Sequence, residues 1–174
     1  GTSTEEVIQR SIGGFALWTD KSWLGLCCGT HGNMGLFYAW DGTVRYEDGT
    51  ARVNLLLNRA SQWMDVHSYL PYEGKVVLRN KTAREAWVRI PLWVDKRAVR
   101  CSLGGQRLQP RWSAGYLRIG DLSPDDEVVV EFPMEEATEE WTVHQLQWPG
   151  GRIGDRQTHT CRFRGNTLIE IAPP

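Results

Sequence analysis

From Arg52 onward, apolar residues recur at every second position in short segments bounded by turn residues. Successive side chains of a strand point to opposite faces, so this pattern buries one face of each segment and wets the other; an antiparallel β-sandwich or jelly roll satisfies it. Val53, Leu55 and Leu57 alternate with Asn54 and Asn58, Gln62 to Tyr69 continues up to Pro71, and Tyr72-Glu73-Gly74 turns the chain into Lys75 to Asn80. Ala86, Val88, Ile90 and Leu92 define one inward face, and Val99, Cys101 and Leu103 another, closed by Gly104-Gly105. Leu117 and Ile119 follow, then Val128, Val130, Phe132 and Met134, and a longer strand runs from about Glu136 to Trp148. After Pro149-Gly150-Gly151 comes a hairpin, Thr158 to Arg164 with Thr167 to Ile171, turning at Gly165-Asn166. The pattern predicts nine or ten strands, with Val88, Ile90, Val99, Cys101, Leu117, Val128, Val130 and Phe132 buried together between two sheets. It allows no helix longer than two turns between Lys75 and Met134.

The first quarter reads differently. Ser3 or Thr4 with Glu5 or Glu6 caps a short helix that Gly13-Gly14 ends, and Phe15 to Leu26 shows no clear period. Met34, Phe37, Tyr38 and Asp41 then recur at helical spacing to about Val44, with Thr30 or Asn33 as the N-cap. The change of period places a boundary at 49/50. Residues 1–49 read as the end of an upstream helical domain and 50–174 as a β-sandwich domain, making the chain mainly β with a short helical lead. Phe15, Leu17, Trp18, Trp23, Leu24, Phe37 and Trp40 exceed what two short helices bury on each other, so they call for cover by the sandwich's tryptophan face or by a second copy of the chain.

At 174 residues with 20 basic and 21 acidic side chains, the chain is near neutral. No basic stripe or lysine-rich tail is visible along it, which gives no support to nucleic-acid binding. Its apolar runs are too short for a membrane-spanning helix. Nothing at the start resembles a signal peptide, and the chain opens Gly1-Thr2, as a piece of something longer would. The four cysteines do not have the spacing of a small secreted disulfide scaffold, which favours a reducing, cytoplasmic location. A Cys101–Cys161 bridge stays open as an alternative.

The segment whose chemistry exceeds the needs of a β domain is Leu26-Cys27-Cys28-Gly29-Thr30-His31-Gly32-Asn33. Adjacent Cα atoms lie about 3.8 Å apart, shorter than a disulfide's usual span of roughly 4.4 to 6.8 Å, so Cys27 and Cys28 read as thiols. A helix beginning just after them lowers a thiol's pKa and favours the thiolate, the form that attacks carbon and binds metal. His31, at Cys-x-x-His spacing from Cys28, is a third candidate ligand. The bland alternative is a pair of inert thiols buried in a packed turn.

Nine tryptophans are a heavy load for this length. Opposite the aliphatic face of the strand from Glu85 to Trp93 stand Trp87, Arg89 and Trp93. With Trp112 elsewhere, these rings offer a platform for stacking sugars or docking a partner; the plainer reading is that a neighbouring segment covers them.

Several of these stretches together carry a family resemblance. Gly13-Gly14-Phe15, Cys27-Cys28 with its Gly/Asn turn, and Leu36-Phe37-Tyr38-Ala39-Trp40 are followed by Val53-Asn54-Leu55, Tyr72-Glu73-Gly74-Lys75-Val76 and Val88-Arg89-Ile90-Pro91-Leu92-Trp93. Gly115-Tyr116-Leu117, Phe132-Pro133-Met134 and Arg162-Phe163-Arg164-Gly165-Asn166-Thr167 continue the succession. In this order the segments resemble the end of the (α/α) barrel and the β-sandwich that follows it in the β-L-arabinofuranosidase family of glycoside hydrolases, family 127. The resemblance implies a retaining glycosidase in which a zinc-bound cysteine, here Cys27, is the nucleophile and Cys28 a second zinc ligand. The remaining ligands, a glutamate and a third cysteine, and the general acid would lie upstream. It also implies a carbohydrate substrate and an upstream barrel as the intramolecular partner. Gly29-Thr30-His31-Gly32 departs from the family's proline-rich turn, which puts sugar specificity, and to a lesser degree the cysteine roles, in question. The rival reading is a non-catalytic accessory domain that buttresses a barrel or binds glycan through Trp87, Trp93 or Trp112.

Overall fold

The computed structural model describes the backbone of residues 19–20, 23–24, 26–147 and 152–173, with side chains over 31–142 and 156–173. The expected helix near Ser3, the aromatics Phe15, Leu17 and Trp18, and the Pro149-Gly150-Gly151 loop lie outside the described residues. So do the side chains of Trp23, Leu24, Cys27 and Cys28.

Two compact units divide the chain. One holds Ala39–Glu136 with Arg164–Thr167; the other holds the described residues of Gly1–Tyr38, Ala137–Phe163 and Leu168–Pro174. In the second of these, β1 (Thr19–Asp20) pairs antiparallel with β2 (Trp23–Leu24), and helix α1 begins at Leu26. The long strands β13 (Glu136–Gln147), β14 (Arg152–Arg164) and β15 (Thr167–Ala172) form a three-stranded sheet in that order. Thr142 and Thr158 share a 2.8 Å hydroxyl hydrogen bond, and Arg162 pairs with Glu170 at 3.1 Å.

Helix α1 spans Leu26–Asp41, so neither Thr30 nor Asn33 is its N-cap. Cys27 and Cys28 sit in its first turn instead of ahead of it. Gly29, Gly32 and Gly35 lower helix propensity, but nothing in the segment forbids the α region as a proline would, and propensity is a weak prior against context. The helix stops before Gly42, where the Thr43 N–H donates to the Trp40 carbonyl at 3.1 Å.

The unit around Ala39–Glu136 is a sandwich of two five-stranded sheets. Strands β3 (Val44–Glu47), β4 (Thr50–Val53), β7 (Glu85–Arg89), β10 (Arg111–Ser113) and β11 (Tyr116–Ile119) form one, ordered β10-β11-β7-β4-β3. The other contains β5 (Met64–Ser68), β6 (Lys75–Asn80), β8 (Arg100–Leu103), β9 (Gln106–Leu108) and β12 (Glu127–Glu131), ordered β5-β6-β12-β8-β9. Val44 was expected to end a helix, yet strand pairing starts there. Asp48 and Gly49 both take positive φ, 49° and 87°, the two-residue turn that suits the twist of a hairpin, and the 49/50 division falls in that turn. The pairing is antiparallel throughout this sandwich except between β4 and β7, which run parallel. Counting the two-residue pair, the described residues form fifteen strands, more than the nine or ten that the alternation predicts, because β1, β2 and β3 precede the stretch where the alternation begins and β9 and β10 have only three residues each.

All eight residues expected in the core are there, in one cluster fed by both sheets with Val53, Met64, Val66, Val76 and Leu78. The one helical piece between Lys75 and Met134 is the 3₁₀ turn Lys96–Ala98. Asn80 is buried at 2% exposure and fully used: its Nδ2 donates to the Ala83 and Ser123 carbonyls at 2.8 Å each, and its Oδ1 accepts from the Ala83 N–H at 3.0 Å.

Two alternations break down. Asn54 ends β4 by donating its N–H to the Thr43 carbonyl and its Nδ2 to the Gly42 carbonyl, so Leu55 and Leu57 face solvent and Leu56 turns inward. At Pro91, which has no N–H to donate, the chain turns, closed by the Val94 N–H on the Pro91 carbonyl. Leu92 is therefore 99% exposed instead of buried, and Trp93 packs partly against the core instead of on the outer face.

Candidate functional site

Three places were marked by residue type: the cysteine pair, the tryptophans, and the surface around them. The first turn of α1 carries Cys27 and Cys28, and His31 lies four and three residues beyond them, on the spacing that a helix brings to one face. Among the described residues no three His, Cys, Asp or Glu side chains come together as a metal site. Sulfur and imidazole donors suit zinc in kind, but two cysteines and one histidine on a single helix supply three donors where a structural site takes four. Cys101 and Cys161 are both buried free thiols, not a disulfide. Burial pushes the Cys101 thiol up to about 11, so it stays protonated at neutral pH and is a packing residue.

Trp87, Trp93 and Trp112 do not share a platform. Trp87 stands on the outer face of β7, flanked by the Arg52 guanidinium at 5.3 Å and that of Arg118 at 4.7 Å, with Tyr116 tilted against it at 6.0 Å. Trp112 pairs with buried Leu117, packs against the core and carries Lys96 Nζ 5.3 Å from its ring centre. Trp93 meets Phe132 edge to face at 5.7 Å. All three rings are half-buried by neighbouring side chains.

Trp93 does line an open groove of about 550 Å³ in this unit. Leu55, Leu57, Leu92 and Met134 supply its apolar wall, and Asn54, Asn58, Arg89, Arg164 and Asn166 its polar groups; among the described residues no carboxylate lines it. Gly165, at φ 58°, leaves room for the Trp93 ring, since a Cβ there would come within 2.7 Å of Trp93 Cζ2. An apolar groove with a few convergent polar groups has the general make-up of a small-ligand site. The sequence hid it because its walls come from residues displaced by the breaks at Asn54 and Pro91.

Near the other sheet, Asp65 accepts from Lys81 Nζ at 2.6 Å and from the Ser61 N–H at 3.0 Å. Burial raises its carboxyl, but these hydrogen bonds, with the charges of Lys81 and His67, outweigh that and hold it below its ordinary value. This is a structural pair, away from the groove lining.

No protein-family model and no curated protein matches this sequence. Solved structures do share its fold. A glycoside hydrolase family 127 β-arabinofuranosidase superposes with a TM-score of 0.51 at 19% identity, covering 72% of this chain and 23% of its own. A family 127 β-L-arabinofuranosidase from Geobacillus stearothermophilus T6 gives 0.53 at 19% identity over 82% of this chain and 24% of its own. A third structure, described as a glycoside hydrolase, gives 0.56 at 16% identity over 82% and 25%. The chain therefore spans about a quarter of the length of these proteins.

Proposed function

We propose that this chain is a portion of a larger glycoside hydrolase, a β-sandwich with the helical segment that joins it to a catalytic barrel. The observation that carries this reading is the shared fold with three glycoside hydrolase structures over 72–82% of this chain. The finer reading is a retaining glycosidase acting on an arabinofuranoside or a similar glycoside, with Cys27 as nucleophile and Cys28 beside it. Position in the first turn of α1 supports it, because the unpaired N–H groups and the dipole of a helix N-terminus favour a thiolate. Zinc, when bound, would favour the thiolate further. Cys27 and Cys28, with His31 as a third candidate donor, are the residues of this chain that would hold it, completed by ligands from elsewhere in the protein.

On this reading the 174-residue chain alone is inactive, since the family resemblance puts the general acid that protonates the leaving oxygen upstream of it, a step worth about 10²- to 10⁴-fold. The test assays the 174-residue chain, the full-length protein and its Cys27→Ser form on aryl arabinofuranosides and other aryl glycosides, with zinc measured by metal analysis. Activity in the full-length protein alone, lost on Cys27→Ser, is the expected result; an active Cys27→Ser protein removes this cysteine from the chemistry. The groove beside Trp93 favours a second reading, an accessory module that binds neutral glycan. Titration of the chain with arabino-oligosaccharides, followed by tryptophan fluorescence and repeated on Trp93→Ala, tests it.

A further inference from the structure

The groove beside Trp93 is built where four strands end: segments 54–58, 68–71, 89–93 and 164–167, at the C-terminal ends of β4, β5, β7 and β14, line it together with Met134, all within one compact unit. Its floor is closed, since Leu56 and Ile90 are buried and Leu70 and Trp93 pack against the core. Its rim is open. Leu55, Leu57 and Leu92 are 37%, 50% and 99% exposed, apolar surface that a bound apolar group would remove from water.

The polar groups left unengaged in the lining are weighted toward donors. Both ends of the Asn54 amide are taken: its Nδ2 donates to the Gly42 carbonyl at 2.9 Å and its Oδ1 accepts from the Tyr116 hydroxyl at 2.9 Å. Asn58 Oδ1 accepts the Ser68 N–H at 2.7 Å, which leaves its Nδ2 to donate. Arg164 gives one N–H to the Tyr72 carbonyl at 3.3 Å and keeps the others. The exposed Arg89 guanidinium has, among the described residues, neither an ion pair nor a hydrogen bond. Ser68, Asn166 and Thr167 retain side-chain acceptors, and no described carboxylate offsets the two cations.

We propose that this groove binds an amphipathic monocarboxylate, a small acid whose carboxylate pairs with Arg89 while its apolar body lies along the leucine rim. Charge and surface together decide the class. A guanidinium without a partner, in a lining without acids, favours an anion, and it holds a carboxylate through two parallel hydrogen bonds. A phosphate dianion loses more hydration on entering a leucine-walled groove, so a single carboxylate suits it better. A neutral sugar uses the groove less fully. Its hydroxyls donate as well as accept, and the one aromatic ring among the described lining residues, Trp93, already meets Phe132 edge to face and lies against Gly165. The fit of an acid depends on neither reading above, and it competes with neutral glycan for the same groove.

Calorimetric titration of the 174-residue chain with octanoate tests this, alongside octanamide, acetate and arabinotriose at the same pH and salt. Octanoate should bind at least about tenfold more tightly than octanamide, which has the body without the charge, and than acetate, which has the charge without the body. Arg89→Gln should weaken octanoate several-fold and leave octanamide unchanged, whereas Leu57→Ser should weaken both. Both side chains are exposed, so the melting curves should not move. Absence of octanoate binding overturns the proposal, as does equal binding of octanamide or acetate, or octanoate binding that the folded Arg89→Gln variant leaves intact. Tighter binding of arabinotriose overturns it in favour of the glycan module. A dimer in light scattering that Leu57→Ser dissociates and octanoate does not overturns it in favour of a second copy of the chain. The titration requires no turnover, so its failure and the failure of the activity assay on the full-length protein are distinct results.

Discussion

At the scale of single residues, the structure turns charges and thiols into definite expectations. The folded protein holds the Asp65 carboxyl below its ordinary value, so it binds a proton less readily folded than unfolded. The sign follows: the stability from the Lys81–Asp65 pair is fully present above about pH 4, the unfolded carboxylate value, and is lost as pH falls through the lower folded value. Asp65→Asn should cost about 0.5–1 kcal/mol at pH 7, the range of a part-exposed pair. Urea unfolding at several pH values checks this: the gap between wild type and variant should close in acid, and a gap equal at pH 7 and pH 2.5 would remove the pair from the account. Cys101 was legible as an inward strand residue from its alternation with Arg100 and Ser102, and its burial accounts for its inertness. Trp93 was not. One proline two residues earlier reversed its face, and alternation carries no information about such a turn.

At the scale of elements, alternation read the strands well wherever they run unbroken. Strands β7 and β12 bury the aliphatic positions that their period assigns. Segment ends were less legible, because a side chain such as Asn54 that satisfies nearby backbone groups can stop a strand in mid-pattern. Asp48-Gly49 is a strong hairpin signal, yet the residues before it also fit a continuing helix, and only pairing decides between the two. Glycine at Tyr72-Glu73-Gly74 has a different necessity. The Phe132 N–H donates to the Gly74 carbonyl at 2.8 Å, and a Cβ on Gly74 would run into the backbone carbonyl oxygen of Phe132. Backbone cannot move aside as a flexible side chain does, so Gly74→Ala should lower stability by about 1–3 kcal/mol. Gly115→Ala, whose added Cβ meets nothing within 4 Å, is the matched control and should be near neutral in the same denaturation series. Equal losses from both would show that glycine's backbone freedom, not the contact with Phe132, sets the cost.

At the scale of the whole molecule, what the sequence could not display is register. Arg45, Arg52, Arg111 and Arg118 are spread over 74 positions of a chain with near-zero net charge, and strand pairing alone puts them in one row. The same holds for continuity along the chain. The sandwich's core cluster runs from Val44 to Phe132 and, among the described residues, takes none from the last forty, yet Arg164–Thr167 belong to the same compact unit. Those four residues add edge contacts: the Gly165 N–H donates to the Glu135 carbonyl at 2.8 Å, Arg164 reaches the Tyr72 carbonyl at 3.3 Å, and Gly165 lies against Trp93 and Met134. Since hydrophobic burial is the main stabilising term and all of the cluster lies within 39–136, that segment should fold by itself. Removing 137–174 should cost about 1 kcal/mol, the transfer of a small apolar patch back to water. Trp93 should become more exposed, shifting tryptophan emission to the red and opening the groove beside it. Thermal and urea melts of residues 39–136 with and without the C-terminal extension decide the point. A cooperative transition in the short form, slightly lowered, agrees with a core complete without the returning strand. An unfolded short form would mean that residues 164–167 supply a closure that the buried cluster does not reveal.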